Sequence, residues 1–334
     1  PMSERVRRTV CPRTTPAERG SMTAYIIRRL LTLIPTLLGV SLLVFSITRL
    51  TPGDPVRQIV GPDAPQQRVD EVRQQLGLDQ PILVQYWKFL TGAVRGDLGR
   101  SLLTRQPVVR EIRDRLPVTL KIATISVIIA VAIGIPLGVI SAARKYSAVD
   151  TLATLFAIGG VSMPLFWFAI MAILLFSIRL QWLPVGGLHG PIWTLEGMKA
   201  YVLPCITLAL TPIALIARLT RSSMLEVLDR EYVTVARAKG LEERRVIIRH
   251  ALRNALLPVV TFVGLQYGFL LGGAVVTETI FALPGVGRLA ITAINQRDYP
   301  VIQGVVLMVA MIFTMINLIV DVLYAWLDPR ISYA

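Results

Sequence analysis

Six stretches without a single charged residue dominate the sequence: 30–48, 122–143, 151–178, 200–217, 254–277 and 299–320. A helix needs about 20 apolar residues to cross a hydrocarbon core of about 30 Å. Inside that core only helices and closed barrels satisfy every backbone N–H and C=O. One such stretch is compatible with a buried helix of a soluble protein, but six in 334 residues are not. The fold class expected is all-α integral membrane protein with six transmembrane helices. The stretch 151–178 is long enough to tilt, or to kink at Pro164.

The spans divide the chain. Residues 22–49 hold the first transmembrane helix, 50–120 an extracytoplasmic region, and 121–334 a five-helix core with a loop at 221–253. Residues 1–21 are basic, contain Pro12 and Pro16, and lack an apolar run long enough for a signal peptide. They are expected to be a disordered extension and are given no function.

The net charge of +14 would point to nucleic acid in a soluble protein. Here the cations sit beside the spans. Arg28 and Arg29 precede the first, and Arg144 and Lys145 follow the second. Arg218, Arg221, Arg230, Arg237, Lys239, Arg244, Arg245, Arg249 and Arg253 follow the fourth. The opposite short loops hold Arg179, Lys199, Arg288 and Arg297. Lys and Arg concentrate on the cytoplasmic side, so both termini and the loop after the fourth span are expected there, with no nucleic-acid partner. Cys11 and Cys205 are too far apart in sequence and too unlike in setting to suggest a disulfide, and no metal-ligand spacing occurs.

The region 50–120 is too long to be structureless. Val69, Val72, Leu76 and Leu78 suggest a short amphipathic helix, and 82–90, with Tyr86 and Trp87, suits the membrane interface. Val108, Val109, Ile112 and Leu116 form a further apolar stripe before Pro117.

Residues 231–258 are charged, helix-forming and flanked by spans. A first helix over 231–239 ends at Gly240, a C′ glycine. A second begins at Glu242 and Glu243, acids favoured in a first turn, and carries an apolar stripe of Ile247, Ile248, Ala251, Leu252 and Leu256. A helix–Gly–helix between spans reads as a docking surface for a soluble partner or as an ordinary basic loop.

The run Ala236-Arg237-Ala238-Lys239-Gly240, followed by Arg249-His250-Ala251-Leu252-Arg253-Asn254-Ala255-Leu256-Leu257-Pro258, resembles the EAA loop of ABC importer permeases. Thr234 replaces the usual glutamate, and the Gly-to-Pro interval is longer than in sugar permeases. Both departures resemble the branch importing dipeptides, oligopeptides and, in some members, nickel. The segments PGDP, LGLDQP, QYWKFL, GDLGRS and RLPVTL in the outer region also resemble that branch. So do Ser162-Met163-Pro164, Glu278-Thr279-Ile280-Phe281, Pro284-Gly285-Val286-Gly287 and Asp298-Tyr299-Pro300, and the similarity runs from Met22 to the C-terminus.

The resemblance implies a type I importer permease fold with a large extracytoplasmic loop after the first helix, in a bacterial or archaeal cytoplasmic membrane. It implies a second permease subunit in a heterodimer, two ATPase subunits and an extracytoplasmic substrate-binding protein. ATP and Mg would sit on the ATPase subunits and no cofactor on this chain. Coupling to the ATPase would fall to Glu231, Tyr232, Val235, Ala236, Arg237, Ala238, Lys239 and Gly240, with Tyr232, Val235 and Ala236 packing and the charged residues at the rim. The outer region would receive the binding protein or simply cap the bundle.

No catalytic centre or metal site is expected. His189 falls in a Gly/Pro-rich turn and His250 in the coupling loop, and no GxxxxGK[ST] run exists to cradle ATP. An ion-driven carrier places ionisable residues mid-membrane, and these spans have none. Gly264, Gly268, Gly272 and Gly273 have small-residue spacing for helix packing, for gating, or for both. Glu278, at the outer end of the fifth span, either contacts substrate or binding protein or makes a structural hydrogen bond. Other readings are a nickel or metal-chelate importer, an ion-coupled carrier, and a scaffold.

Overall fold

The computed structural model describes residues 22–50, 55–61, 63–75 and 77–327. The basic extension, Cys11, the turn at 51–54, Leu76 and the C-terminal motif at 328–330 lie outside the described residues, as do the surroundings of Gly273. Among the described residues, five helices are long and apolar enough to cross a bilayer, and a bent pair, counted as one span, brings the number to six.

Helix α1 (Met22–Leu50) is the first span. Short helices α2 (Pro55–Val60), α3 (Gln66–Gln75) and α4 (Ile82–Val94) follow. Helix α5 (Val108–Ala143) is the second span and contains Pro117 and Pro136. The stripe at 108–116 is therefore its first three turns, not a separate element of the outer region. The helix runs through Pro117 without ending there, as membrane helices tolerate.

Helix α6 (Ala148–Ser162) and helix α7 (Leu165–Ala172), continued as a π-helix over Ile173–Arg179, form the third span. They are bent by 101° at the break. Pro164 disfavours the α region for the residue before it, and Met163 is extended at φ −76°, ψ 126°. The expected kink at Pro164 is thus a full break.

Helix α8 (Leu195–Leu228) is the fourth span. Helix α9 (Glu231–Ala238) and helix α10 (Glu243–Arg245) follow. A π-helix over Val246–Ala251 then joins α10 to α11 (Leu252–Ile280), the fifth span. Helix α12 (Val286–Asn295) lies before the last span, α13 (Tyr299–Leu327).

The bundle is built on α5 and α8, which run parallel. Ser126 Oγ donates to the Cys205 carbonyl at 3.1 Å. Further along, a Cβ on Gly134 would stand 2.9 Å from Ile216, and one on Gly138 only 2.6 Å from Thr220 Cβ. Small residues let the two backbones approach, the packing device of helices that gain little from the hydrophobic effect in lipid. Helices α11 and α13 close antiparallel around the pair, with Gly264 opposite Val320 and Gly268 opposite Phe313. Helix α1 packs on α13, where Gln303 Nε2 donates to Thr48 Oγ1 at 2.8 Å.

The outer region is fastened to the core. Ser101 Oγ donates to Asp298 at 2.5 Å, and the Leu102 N–H donates to the same carboxylate at 3.1 Å. Leu98, Val108 and Ile112 share a buried cluster with Val286, Leu289, Val301 and Val305 of α12 and α13.

Candidate functional site

The candidate site is the segment after α8, at the end of the bundle where α1 begins and α13 finishes. Leu228 ends α8, and the extended Arg230 (φ −76°, ψ 144°) starts α9. Val233 and Ala236, three residues apart, share one face. Both are buried, against Val246, Leu228 and Leu241. Gly240 ends the helix at φ +75°, the left-handed conformation glycine adopts without strain.

Two polar links fix α9 to the start of the fifth span. Asn254 Nδ2 donates to Tyr232 Oη at 2.8 Å, and Tyr232 Oη reaches the His250 carbonyl at 3.4 Å. Arg237 grips Glu243 across the glycine turn, Nη2 to Oε1 at 2.8 Å and Nε to Oε2 at 3.1 Å. That carboxylate holds the guanidinium above its ordinary pKa. The second helix expected at Glu242 is therefore short, and through the π-helix it is continuous with the fifth span.

The exposed side of α9 carries Glu231, Tyr232, Val235, Arg237, Ala238 and Lys239. Tyr232 is 42% and Val235 52% exposed, and Ile248 adds another exposed apolar side chain. The surface is an apolar patch edged by charge. Ala236 departs from expectation: it is buried inside the chain and offers nothing to a partner. Val233, which sequence reasoning passed over, does the same work. Their spacing with Val246 was the available signal.

A second group was missed altogether. Asp150, on the first turn of α6, accepts from Arg221 of α8, Nε to Oδ1 at 2.6 Å and Nη2 to Oδ2 at 2.8 Å. Ser141 Oγ of α5 and the Tyr146 N–H also donate to it, at 2.5 and 3.0 Å. Three spans are thus tied near the α9 end. Asp150 lay just outside the uncharged stretch 151–178, so it read as a flank. A cleft of about 420 Å³ opens beside it, lined by Ser141, Thr154, Ala157, Ala214, Arg218 and Arg221 among others.

Glu278 is wholly buried at the opposite end. Thr119 Oγ1 donates to it at 2.6 Å, and the Arg288 N–H donates at 3.0 Å. The carboxylate caps the N-terminus of α12, where N–H groups and the macrodipole favour an anion. Of the glycines, Gly264 and Gly268 are packed against α13, whereas no described residue lies within 4 Å of a Cβ on Gly272. Gly268 and Gly272 line an apolar cavity of about 620 Å³ between α1, α5, α11, α12 and α13. Cys205 is a buried free thiol, and His189 Nε2 contacts the Gly186 carbonyl.

These features define a multi-span membrane protein with a structured helical segment between its fourth and fifth spans. The chain matches the binding-protein-dependent transport system inner membrane component over residues 134–333, and the N-terminal part of that description over residues 22–123. The chain belongs to this family of ABC importer permeases. It is 46% identical over 312 residues to the glutathione transport system permease protein GsiC of Escherichia coli O6:H1, which covers 93% of this chain and 100% of that protein. It is 45% identical over 333 residues to the dipeptide transport system permease protein DppB of Alkalihalophilus pseudofirmus, again over 93% and 100%. Among solved structures, an inward-facing conformation of the MetNI methionine ABC transporter aligns with a TM-score of 0.53 at 16% identity, over 65% of this chain and 96% of that one. That likeness is one of fold.

Proposed function

We propose that the chain forms half of the translocation path of an ATP-driven importer of short peptides. The observation that carries this reading is the full-length similarity to permeases named for glutathione and dipeptide transport. The two named cargoes are both short amide-linked amino acids with a free amino group and a free carboxylate. The family description supports a separate binding protein that delivers the cargo.

Energy comes from two partner ATPase subunits that bind ATP and Mg, and this chain hydrolyses nothing itself. The α9 end faces the cytoplasm of a bacterial or archaeal cell, as the excess of Lys and Arg there supports. The exposed face of α9, centred on Tyr232 and Val235, seats in a cleft of one ATPase subunit. When ATP closes the ATPase pair, α9 is pulled. The Tyr232–Asn254 and Arg237–Glu243 links carry that motion into the fifth span, and Arg221–Asp150 carries it into the third. The path lies between this chain and a second, different permease subunit and switches its opening from one side to the other. Gly272, with open space beside it, is the glycine best placed to face that path.

The test is affinity purification of the full chain from detergent, with mass spectrometry of what accompanies it. Recovery of a Walker-type ATPase, a second permease and a binding protein loaded with peptide supports the proposal. A binding protein loaded with a nickel chelate would change the cargo. A chain that purifies alone and moves solute in vesicles without ATP would overturn the mechanism.

A further inference from the structure

Helix α4 has an apolar face that is exposed among the described residues of this chain. Its residues sort into three sides. Tyr86, Phe89 and Ala93 turn toward the rest of the chain. Tyr86 Oη meets Ser41 Oγ of α1 at 3.0 Å, and the rings of Tyr86 and Phe89 lie 5.3 and 6.3 Å from that of Phe45. Ala93 packs with the cluster around Leu98. Lys88 lies on a second side. The third carries Leu83, Trp87, Leu90 and Val94, recurring at i, i+4, i+7 and i+11, the spacing of one helical face. Leu83 is 81% exposed, Trp87 65% and Val94 82%.

The depth of this face follows from α1. Its uncharged run ends at Arg49. At a rise of about 1.5 Å per residue, Phe45 lies about 6 Å and Ser41 about 12 Å inside that charged residue. The uncharged run of 19 residues, 30–48, just matches what a bilayer core requires, so Arg49 marks the hydrocarbon boundary. A helix that touches α1 at Ser41 and Phe45 is below the headgroup level, not upon it. Beside the contact, Leu38 and Leu42 of α1 are also exposed, and the open face of α4 continues that lipid-facing surface.

We propose that α4 is embedded in the bilayer leaflet at the end opposite α9, with Leu83, Trp87 and Val94 against lipid acyl chains. Its backbone bonds are internal to the helix, as a lipid-exposed segment requires. Lys88 runs along the helix toward the headgroups, its apolar stem in contact and its ammonium outside. A docking face for a protein would carry a polar rim, and the only formal charge on α4 lies off this face. The outer region is then held by lipid on one side and by the Ser101–Asp298 link on the other.

The experiment places nitroxide labels on full-length chain with Cys11 and Cys205 replaced by Ser, co-purified with its partners and reconstituted in phosphatidylcholine nanodiscs. Labels go on Leu83→Cys and Val94→Cys, with Leu42→Cys on α1 as the lipid reference and Lys88→Cys off the face. Collision rates with oxygen, which concentrates in hydrocarbon, are compared with those of a water-soluble nickel chelate. At Leu83 and Val94 the expected oxygen-to-nickel ratio matches that at Leu42 and is several-fold higher than at Lys88. A nickel-dominated signal at both positions would put the face in water and overturn the proposal. Low collision rates with both reagents would put it against a protein subunit and overturn it equally. Two labelled positions keep the test valid if one variant fails to assemble.

Discussion

Arg221 and Asp150, 71 residues apart in sequence, meet as a two-point ion pair between α8 and α6, Nε to Oδ1 at 2.6 Å and Nη2 to Oδ2 at 2.8 Å. The Asp150 side chain is 7% exposed and that of Arg221 30%. Breaking a buried pair from one side costs about 3–5 kcal/mol because the remaining charge is stranded, and the partial exposure of Arg221 lowers that figure. Asp150→Ala also strips Ser141 and Tyr146 of their acceptor, so it should lower the melting temperature more than Arg221→Ala. In a double-mutant cycle the combined loss should fall short of the sum by about 1–3 kcal/mol. Additive losses would show that the pair is not coupled.

Gly264, Gly268 and Gly272 should respond with opposite signs. A methyl on Gly264 or Gly268 drives into Val320 or Phe313, and such overpacking costs about 1–3 kcal/mol. Gly272→Ala meets open space and removes a helix-interior glycine, a gain of up to about 1 kcal/mol. Thermal unfolding of the three variants in one detergent checks the order. If Gly272→Ala impairs uptake while stability holds, the residue faces the path.

Glu278→Ala leaves the Thr119 hydroxyl and the Arg288 N–H at the start of α12 without an acceptor. Stranded buried donors cost about 1–3 kcal/mol. The loss should appear as reduced stability and as faster hydrogen exchange across Val286–Asn295. Exchange unchanged there would separate Glu278 from the capping role.

The Arg237–Glu243 pair is 41% and 56% exposed, so it adds at most about 1 kcal/mol to stability. Its expected effect is on coupling. Arg237→Glu should reduce ATP-dependent uptake with little change in melting temperature, and adding Glu243→Arg should recover part of it. Gly240→Glu meets no atoms but must hold φ +75°, a strain of about 1–2 kcal/mol. It should uncouple transport from ATP hydrolysis while the bundle stays folded; normal import by this variant would contradict the role given to the turn.

Much of this was legible in the sequence. Uncharged runs fixed the spans because the bilayer imposes their length, and Gly240 announced a helix end because few other residues adopt its conformation. What escaped depended on partners distant in sequence. Asp150 looked like a flank until Arg221, on another span, came beside it. Glu278 allowed either a contact with solute or a structural hydrogen bond, and its bonds to Thr119 and the start of α12 could not be read from sequence. Ala236 matched a family motif, yet motif membership does not say which side of a helix faces its own chain; Val246 settles that. Pro117 sits inside the continuous helix α5.

The most direct test of the coupling account is photo-crosslinking from α9 in native membranes. A benzophenone amino acid is placed at Val235, on the exposed face, and in a separate variant at Leu152, exposed on α6. The account predicts an adduct between the Val235 position and a Walker-type ATPase subunit, changing in yield when ATP is trapped, and no such adduct from Leu152. An assembled, transport-competent complex in which Val235 gives no ATPase adduct would contradict it.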